Sequence, residues 1–154
     1  MADDKVRFAS LVRSGRAYDA SAVRRDGDVL HVSFGASGIS ATVRVCEKEE
    51  WISFEVVEIS EERKVHRLTF LRVGVTLPNR RYAADHRVLV QRVRNDRLAV
   101  SCRALNMQTE AITKPLEGGD TLFSGRCYSR FGLKGARVAF FAVPPQDYLR
   151  VIEA

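Results

Sequence analysis

The chain of 154 residues is 45% hydrophobic and 29% charged, which is the composition of one globular domain and excludes a disordered chain. It contains no apolar run near the roughly 20 residues that cross a bilayer, and its opening lacks the basic and apolar regions of a signal peptide. The formal net charge of +6 favours polyanionic partners such as nucleic acid or acidic polysaccharide.

The three cysteines, Cys46, Cys102 and Cys127, form no C-x-x-C motif. An odd number of widely spaced cysteines predicts reduced, half-buried thiols and argues against a disulfide framework or a zinc knuckle. Together with the absence of a signal peptide, this predicts a cytoplasmic protein, or an exported one if the chain belongs to a longer precursor. We expect no metal, no other cofactor and no membrane partner.

In chain order, the stretch "DKVRFASLVRSG" fits either a short helix or a first strand. Strict alternation then begins in "DVLHVSFG", where Leu30, Val32 and Phe34 share one face of a strand. A glycine-bounded turn leads to "ISATVRVC", another alternating strand, and "WISFEVVEI" follows a charged turn. Each of these segments predicts an antiparallel strand with one buried face.

The second half continues with strands and ends in a helix. The alternation in "VHRLTFLRVGVTL" changes face near Leu71, which predicts a bulge or a bend. Two apolar segments flank Arg94-Asn95-Asp96 as a hairpin, and "KGARVAFFAV" is the last strand. Proline and Asp147 then favour a helix start. We therefore predict a β-sandwich domain over residues 1–143, and a helix or linker over residues 144–154.

Short strands joined by hairpins, with almost no helix, predict an all-β fold, an antiparallel β-sandwich with a short C-terminal helix. A closed barrel is the alternative. Phe140 and Phe141 are adjacent, so they point to opposite faces and predict a last strand that is buried on both sides. The "GLKG" segment, Gly132 to Gly135, matches a bare G-x-x-G, but a strand follows it directly and a tight turn explains it better.

No catalytic constellation is visible. The histidines, His31, His66 and His86, have no partner at metal-ligand spacing, and no serine lies in a G-x-S-x-G elbow. We predict no catalytic residue in this chain. Two alternatives remain: a small enzyme whose carboxylates are assembled by the fold, and a basic nucleic-acid-binding β-barrel module.

The interior stretch that looks least like a strand is "LPNRRYAADHR", Leu77 to Arg87. Because it lacks apolar alternation, we predict a loop at the rim of the sandwich. Loops at the ends of a sandwich often carry the binding residues. Arginine forks beside an aromatic ring suit a carboxylated sugar or a phosphate. The predicted ligand-binding residues are Arg80, Arg81, Tyr82, Asp85 and His86, with Trp51 as either a core residue or a sugar platform.

The run "GDVLHVSFGASGISATVRVCEKEEWISFEVVEI" resembles the N-terminal β-sandwich that precedes the catalytic barrel in several glycoside hydrolase and polysaccharide-degrading families. The similarity in layout extends from Asp28 to Ala154. It implies a non-catalytic accessory module that packs against a catalytic domain after Ala154, and it carries over no catalytic residue. The basic charge makes an acidic polysaccharide the glycan that such a module would contact. A purely structural interaction domain would instead expose an apolar patch that includes Tyr148, Leu149 and Ile152.

Overall fold

The structure is a computed structural model that describes residues 7–85 and 90–153; the side chains of residues 84, 85, 90, 91, 152 and 153 lie outside that description. Within it, the secondary structure consists of thirteen strands, one α-helix and five short 3-10 turns. The 3-10 turns are Gly35–Ser37, Glu62–Lys64, Glu117–Gly119, Ser129–Phe131 and Pro145–Asp147. The strands and the helix are β1 (Ser10–Arg13), β2 (Arg16–Asp19), β3 (Ala22–Asp26), β4 (Val29–Ser33), β5 (Ser40–Glu47), β6 (Trp51–Ile59), β7 (Arg67–Val75), β8 (Arg81–Asp85), β9 (Val90–Arg94), β10 (Ala99–Ala104), β11 (Thr109–Pro115), β12 (Thr121–Tyr128), β13 (Arg137–Val143) and α1 (Tyr148–Glu153).

The strands form two antiparallel sheets. The small sheet has the order β11-β12-β7-β1-β2, and the large sheet has the order β3-β4-β5-β6-β13-β10-β9-β8. Each sheet ends in edge strands among the described residues, so the fold is an open sandwich and not a closed barrel. The predicted fold class is confirmed, and the ambiguous N-terminal stretch contains a strand, β1.

The main core lies between the two sheets, and the alternating residues fill it as predicted. Val32, Phe34 and Val43 are each 1% exposed, whereas their neighbours in sequence face outward or lie at intermediate depth. Period-two alternation has this result because successive side chains on a strand point to opposite faces. Phe8, Phe54 and Phe140 close the edges of this core.

A bulge in β7 explains the change of face near Leu71. Leu71 pairs with Gly125 on β12, whereas Thr69 pairs with Arg126, so Phe70 is the extra residue in β7. The bulge turns Phe70 fully into the core, at 0% exposure, next to a buried Leu71. The predicted bulge is confirmed.

Gly125 lies at this bulge and lets the sheets approach closely. A Cβ atom there would lie 2.8 Å from Val138 Cγ1 on the opposite sheet and 3.3 Å from Phe70 Cζ. Any larger residue would therefore push β12 away from β13.

A second apolar cluster covers the outer face of the large sheet. Ala139, Phe141 and Val143 of β13 contact Tyr148 and Val151 of α1. Phe141 is 5% exposed under the helix, whereas Phe140 packs into the core on the other face of the same strand. The prediction that β13 is buried on both faces is confirmed, and α1 is the element that covers its outer side.

The helix is held at its polar side as well. Arg150 forms an ion pair with Glu50, at the start of β6, and Tyr148 Oη lies 3.4 Å from Ser101 Oγ on β10. Tyr148 is 1% exposed, so it is not part of the exposed apolar patch that a purely structural interaction domain would present; Leu149 is 40% exposed, and the Ile152 side chain lies outside the described residues. The described part of the chain includes no helix with the length and hydropathy needed to cross a membrane.

We expect Tyr148→Ala to lower the free energy of unfolding by about 3–5 kcal/mol, because it empties a fully buried aromatic site under α1. Tyr148→Phe should cost about 1 kcal/mol, the value of one hydrogen bond. Urea denaturation measures both. Leu149→Ala, on the exposed side of the same turn, is the matched control, and an equal loss there would contradict the docking of α1 through Tyr148.

Gly125→Ala should destabilise the protein by about 1–3 kcal/mol through overpacking between the sheets. Val138→Ala removes the atom that a new Cβ would strike, so the double variant should be more stable than the sum of the two single losses predicts. A double-mutant cycle in urea tests this coupling; purely additive losses would show that the two positions do not meet.

Candidate functional site

Three of the predicted site residues, Arg81, Tyr82 and Asp85, lie on an edge strand, whereas Arg80 lies in the loop before it. Residues 77–80 form a loop as predicted, but Arg81 begins β8, the last strand of the large sheet, so the predicted rim loop is wrong for residues 81–85. An edge strand has fewer apolar neighbours, and its alternation is therefore weak in the sequence. Because strand neighbours point to opposite faces, Arg81 and Tyr82 separate: Arg81 pairs with Asp96 at 3.1 Å on one side, and Tyr82 faces the small sheet.

Arg80 and Tyr82 do meet. Tyr82 Oη shares a 2.8 Å hydrogen bond with Thr121 Oγ1, and that bond, followed by the Arg80 guanidinium, lowers the pKa of Tyr82. The Arg80 guanidinium also packs on Gly119, where a Cβ would lie 2.9 Å from one of its nitrogens. Tyr82 is therefore engaged within the protein although it is 45% exposed, whereas Arg80 Nε is buried without a hydrogen-bond partner among the described residues.

The other predicted residues do not join them. Trp51 lies on β6, which β13, β10 and β9 separate from β8, and it packs against the cluster under α1. His86 and the side chain of Asp85 lie outside the described residues. The structure therefore assembles two of the predicted residues, Arg80 and Tyr82, and separates Arg81 and Trp51 from them.

A groove that the sequence did not reveal lies at the opposite end of the sandwich, along the edge strand of the small sheet. Its volume is about 240 Å³. We call it the β11 groove; it is lined by Met107, Gln108, Thr109, Glu110, Tyr128, Arg130 and Phe131.

Strand pairing builds the floor of the β11 groove. Glu110 on β11 stands opposite Arg126 on β12, and Tyr128 lies two residues further along β12 on the same face. Glu110 Oε2 accepts a hydrogen bond from Arg126 Nε at 2.6 Å and another from the Tyr128 hydroxyl at 3.1 Å. A single oxygen of Glu110 therefore holds the side chains of both Arg126 and Tyr128 in place.

The rim is set by the turn between β12 and β13. Ser129–Phe131 forms a 3-10 turn, and Gly132 follows with φ 88°, a left-handed value that favours glycine. Gln108 Nε2 donates to the carbonyl oxygens of Gly132 and Lys134, at 3.1 and 2.9 Å. These bonds join the two loops that form the rim, so Arg130 and Phe131 are held over the groove.

The G-x-x-G segment is the tight turn that we predicted. The amides of Leu133 and Lys134 donate long hydrogen bonds of 3.4 and 3.5 Å to Glu62 Oε1. Leu133 itself is fully buried. A protein carboxylate thus already occupies the amides that a phosphate clamp would use.

The two arginines of the groove differ in their electrostatic environment. The hydrogen bond from Arg126, then the Tyr128 bond and the charges of Arg126 and Arg67, outweigh burial and lower the pKa of Glu110 from its usual 4.5. Arg126 is thereby neutralised by Glu110. Arg130 has no ion-pair partner among the described residues, and its guanidinium carbon lies 4.6 Å from the centre of the Phe131 ring.

Two of the most exposed apolar side chains among the described residues lie beside Arg130. Met107 is 100% exposed and Phe131 is 58% exposed. Single exposed apolar residues are common. Two of them in one groove, next to an arginine without an ion-pair partner among the described residues, indicate a binding surface. No sequence signal marked this site, because Glu110 and Arg126 are sixteen positions apart and only strand pairing brings them together.

No group of three or more His, Cys, Asp or Glu among the described residues is placed to hold a metal ion. Burial raises the pKa of the Cys102 and Cys127 thiols to about 12, so both are protonated and poor nucleophiles. The β11 groove contains one carboxylate, Glu110, whereas glycoside hydrolysis in most families uses two.

Comparison of the chain with protein-family models, with curated proteins and with solved structures finds no significant match.

The lowered pKa of Glu110 predicts a pH dependence of stability. A carboxyl group with a lowered pKa in the folded state stabilises the fold above its unfolded pKa, and this contribution disappears as the pH falls through the folded pKa. Because the Glu110 side chain is 47% exposed, the effect should be about 1 kcal/mol or less. Urea denaturation of Glu110→Gln between about pH 3 and pH 7 should show a deficit at neutral pH that vanishes in acid.

Glu117→Gln, which removes an exposed carboxylate at the other end of β11, is the matched control and should show no such convergence. A Glu110→Gln deficit that persists unchanged in acid would mean that the side chain acts by its shape and not by its charge.

Proposed function

We propose that the chain is a non-catalytic β-sandwich module of a carbohydrate-active protein, and that its β11 groove binds an acidic glycan. The observation that carries the proposal is the combination of an exposed aromatic ring, Phe131, with an adjacent arginine, Arg130, that has no carboxylate partner among the described residues. A neighbouring catalytic domain is the partner that the resemblance to glycoside hydrolase sandwiches implies.

The chemistry of the groove suits a carboxylated sugar. The planar guanidinium of Arg130 presents a fork of donors that binds a carboxylate in two places. The Phe131 ring offers an apolar platform to the C–H face of a sugar ring, and the Met107 side chain extends that surface with a flexible, polarizable thioether. A neutral ligand would leave Arg130 without an anionic partner.

Polar groups at the floor are ready to bind sugar hydroxyls. Glu110 uses Oε2 for its two internal hydrogen bonds, and Oε1 is directed to no protein donor among the described residues. Carboxylate oxygens accept strong hydrogen bonds from hydroxyl groups. Because Glu110 is negative, the acidic group of the ligand should lie at Arg130 and its hydroxyls at Glu110, which sets one orientation of the ring.

The size of the groove favours one unit of a longer chain. A volume of about 240 Å³ lies below the roughly 300–1,000 Å³ of pockets that enclose a drug-sized ligand. Such a groove holds one ring and leaves its two glycosidic ends in solvent. This arrangement is consistent with a module that binds along a polysaccharide without cleaving it.

Isothermal titration with trigalacturonate tests the proposal. Arg130→Gln and Phe131→Ala should each weaken binding about tenfold, through loss of a charged hydrogen-bond pair and of an apolar platform. Arg16→Gln is the matched control, because Arg16 also lies over an aromatic ring, Tyr18, at 5.4 Å on another edge of the small sheet. It should leave the affinity unchanged.

The absence of saturable trigalacturonate binding by the wild-type protein would contradict the proposal, as would an equal loss in Arg16→Gln. Affinity for a single-stranded oligonucleotide that falls steeply with salt, and that Phe131→Ala weakens, would instead support the nucleic-acid-binding alternative.

A further inference from the structure

Five arginines form a continuous row on the outer face of the large sheet, the same face that α1 partly covers. They lie on four adjacent strands, β13, β10, β9 and β8. We call this row the arginine track; it consists of Arg137, Arg103, Arg92, Arg94 and Arg81.

Strand register makes each member a neighbour of the next. Arg103 pairs with Ala139, so it is diagonal to Arg137, and Arg92 pairs with Ser101, so it is diagonal to Arg103. Arg94 follows Arg92 on the same face, and Arg81 stands directly opposite Arg94. Diagonal neighbours are about 7–8 Å apart and direct neighbours about 5 Å, so the track spans roughly 25 Å.

The track retains an excess of positive charge. Arg81 and Arg94 are like charges in one cross-strand pair, an arrangement that destabilises a sheet. Arg81 pairs with Asp96, but both side chains are mostly exposed, at 65% and 93%, so the pair is weak. Glu55, opposite Arg137, forms its ion pair with Arg44 instead. An anionic ligand would relieve the repulsion that remains.

One member of the track is positioned by the helix. The guanidinium carbon of Arg92 lies 4.5 Å from the centre of the Tyr148 ring, a cation–π contact that limits the freedom of its long side chain. Tyr148 is itself buried under α1, so the helix covers the sheet and also restricts the side chain of Arg92, a member of the track. Less side-chain entropy is then lost when a ligand binds there.

The first arginine of the track is linked through its backbone to a residue that lines the β11 groove. The backbone amide of Arg137 donates to Thr109 Oγ1 at 2.8 Å, and Thr109 lines the groove. The rim of the groove and the first arginine of the track are thus joined by one hydrogen bond. Glu110 and Tyr128 lie on the outer face of the small sheet, whereas the track lies on the outer face of the large sheet. A chain that binds both must therefore pass around the edge where β11 lies beside β10.

We propose that the ligand is an extended polyanionic glycan, of which one unit occupies the β11 groove while the acidic groups of following units lie along the arginine track. The inference rests on the proposed function, because it states that the acidic glycan bound in the groove is a long polymer. It distinguishes a polyuronate chain from a mono- or disaccharide, which would reach the groove alone. It also gives the scattered arginines of the sequence a common role.

The test compares trigalacturonate with an oligogalacturonate of about twelve units, which is long enough to reach the far end of the track. The track variant is Arg94→Gln with Arg137→Gln. The control is Arg24→Gln with Arg63→Gln, which removes the same charge from two exposed positions away from the track. Circular dichroism and thermal unfolding confirm that each variant is folded.

The wild-type protein should bind the long oligomer at least tenfold more tightly than the trimer, because each added contact raises the effective concentration of the next. The track variant should retain its trimer affinity and lose about tenfold for the long oligomer. The control should change both affinities by less than about twofold.

Three results would overturn the inference. If trimer and long oligomer bind the wild-type protein equally, the track takes no part, although the proposed function stands. If the control loses as much as the track variant, the effect is one of net charge. If neither oligomer binds but a single-stranded oligonucleotide does, and the track variant loses it, both the proposed function and the glycan inference fail and the track is a nucleic-acid surface.

Discussion

Burial of β13 on both faces is the constraint on which the rest of the structure depends. Val138 and Phe140 pack into the core between the sheets, whereas Ala139, Phe141 and Val143 pack under α1. A strand with one apolar face can border on solvent, but a strand with two needs a layer on each side. The small sheet supplies one layer and the C-terminal helix supplies the other.

The same strand positions both candidate surfaces. The turn that enters β13 carries Arg130 and Phe131 and is tied to β11 through Gln108. Arg137, the first residue of β13 and a member of the arginine track, donates its backbone amide to Thr109, which lines the groove. Because β13 is fixed by packing on two sides, side chains at its start are held by a rigid element, and such pre-organisation lowers the entropy cost of binding.

Regular features of the fold were predictable from local pattern. Alternation in "DVLHVSFG" and "ISATVRVC" identified the buried faces of β4 and β5, and the break near Leu71 located the bulge at Phe70. The adjacent pair Phe140 and Phe141 predicted a strand with two buried faces. These predictions succeeded because a strand has a fixed two-residue period and its buried face must be apolar.

The candidate site was not predictable in the same way. The polar stretch around Arg81 suggested a loop, but from Arg81 onward it forms an edge strand, where weak burial makes the alternation hard to see in the sequence. The groove depends on Glu110 meeting Arg126 and on Gln108 reaching the turn after β12. Contacts of this kind follow from register and loop closure, which no local pattern encodes.

The sequence by itself therefore determined the fold class, the buried strand faces and the excess of arginine, because these depend on composition and on the period of the strand. Only the tertiary structure decided what the arginines are near. Strand order places Arg81, Arg94 and Arg137 on one face, and pairing neutralises Arg126 while it leaves Arg130 beside an exposed ring. Strand order and register decide which residues are adjacent across a sheet, and they bring arginines that are far apart in the sequence onto one surface.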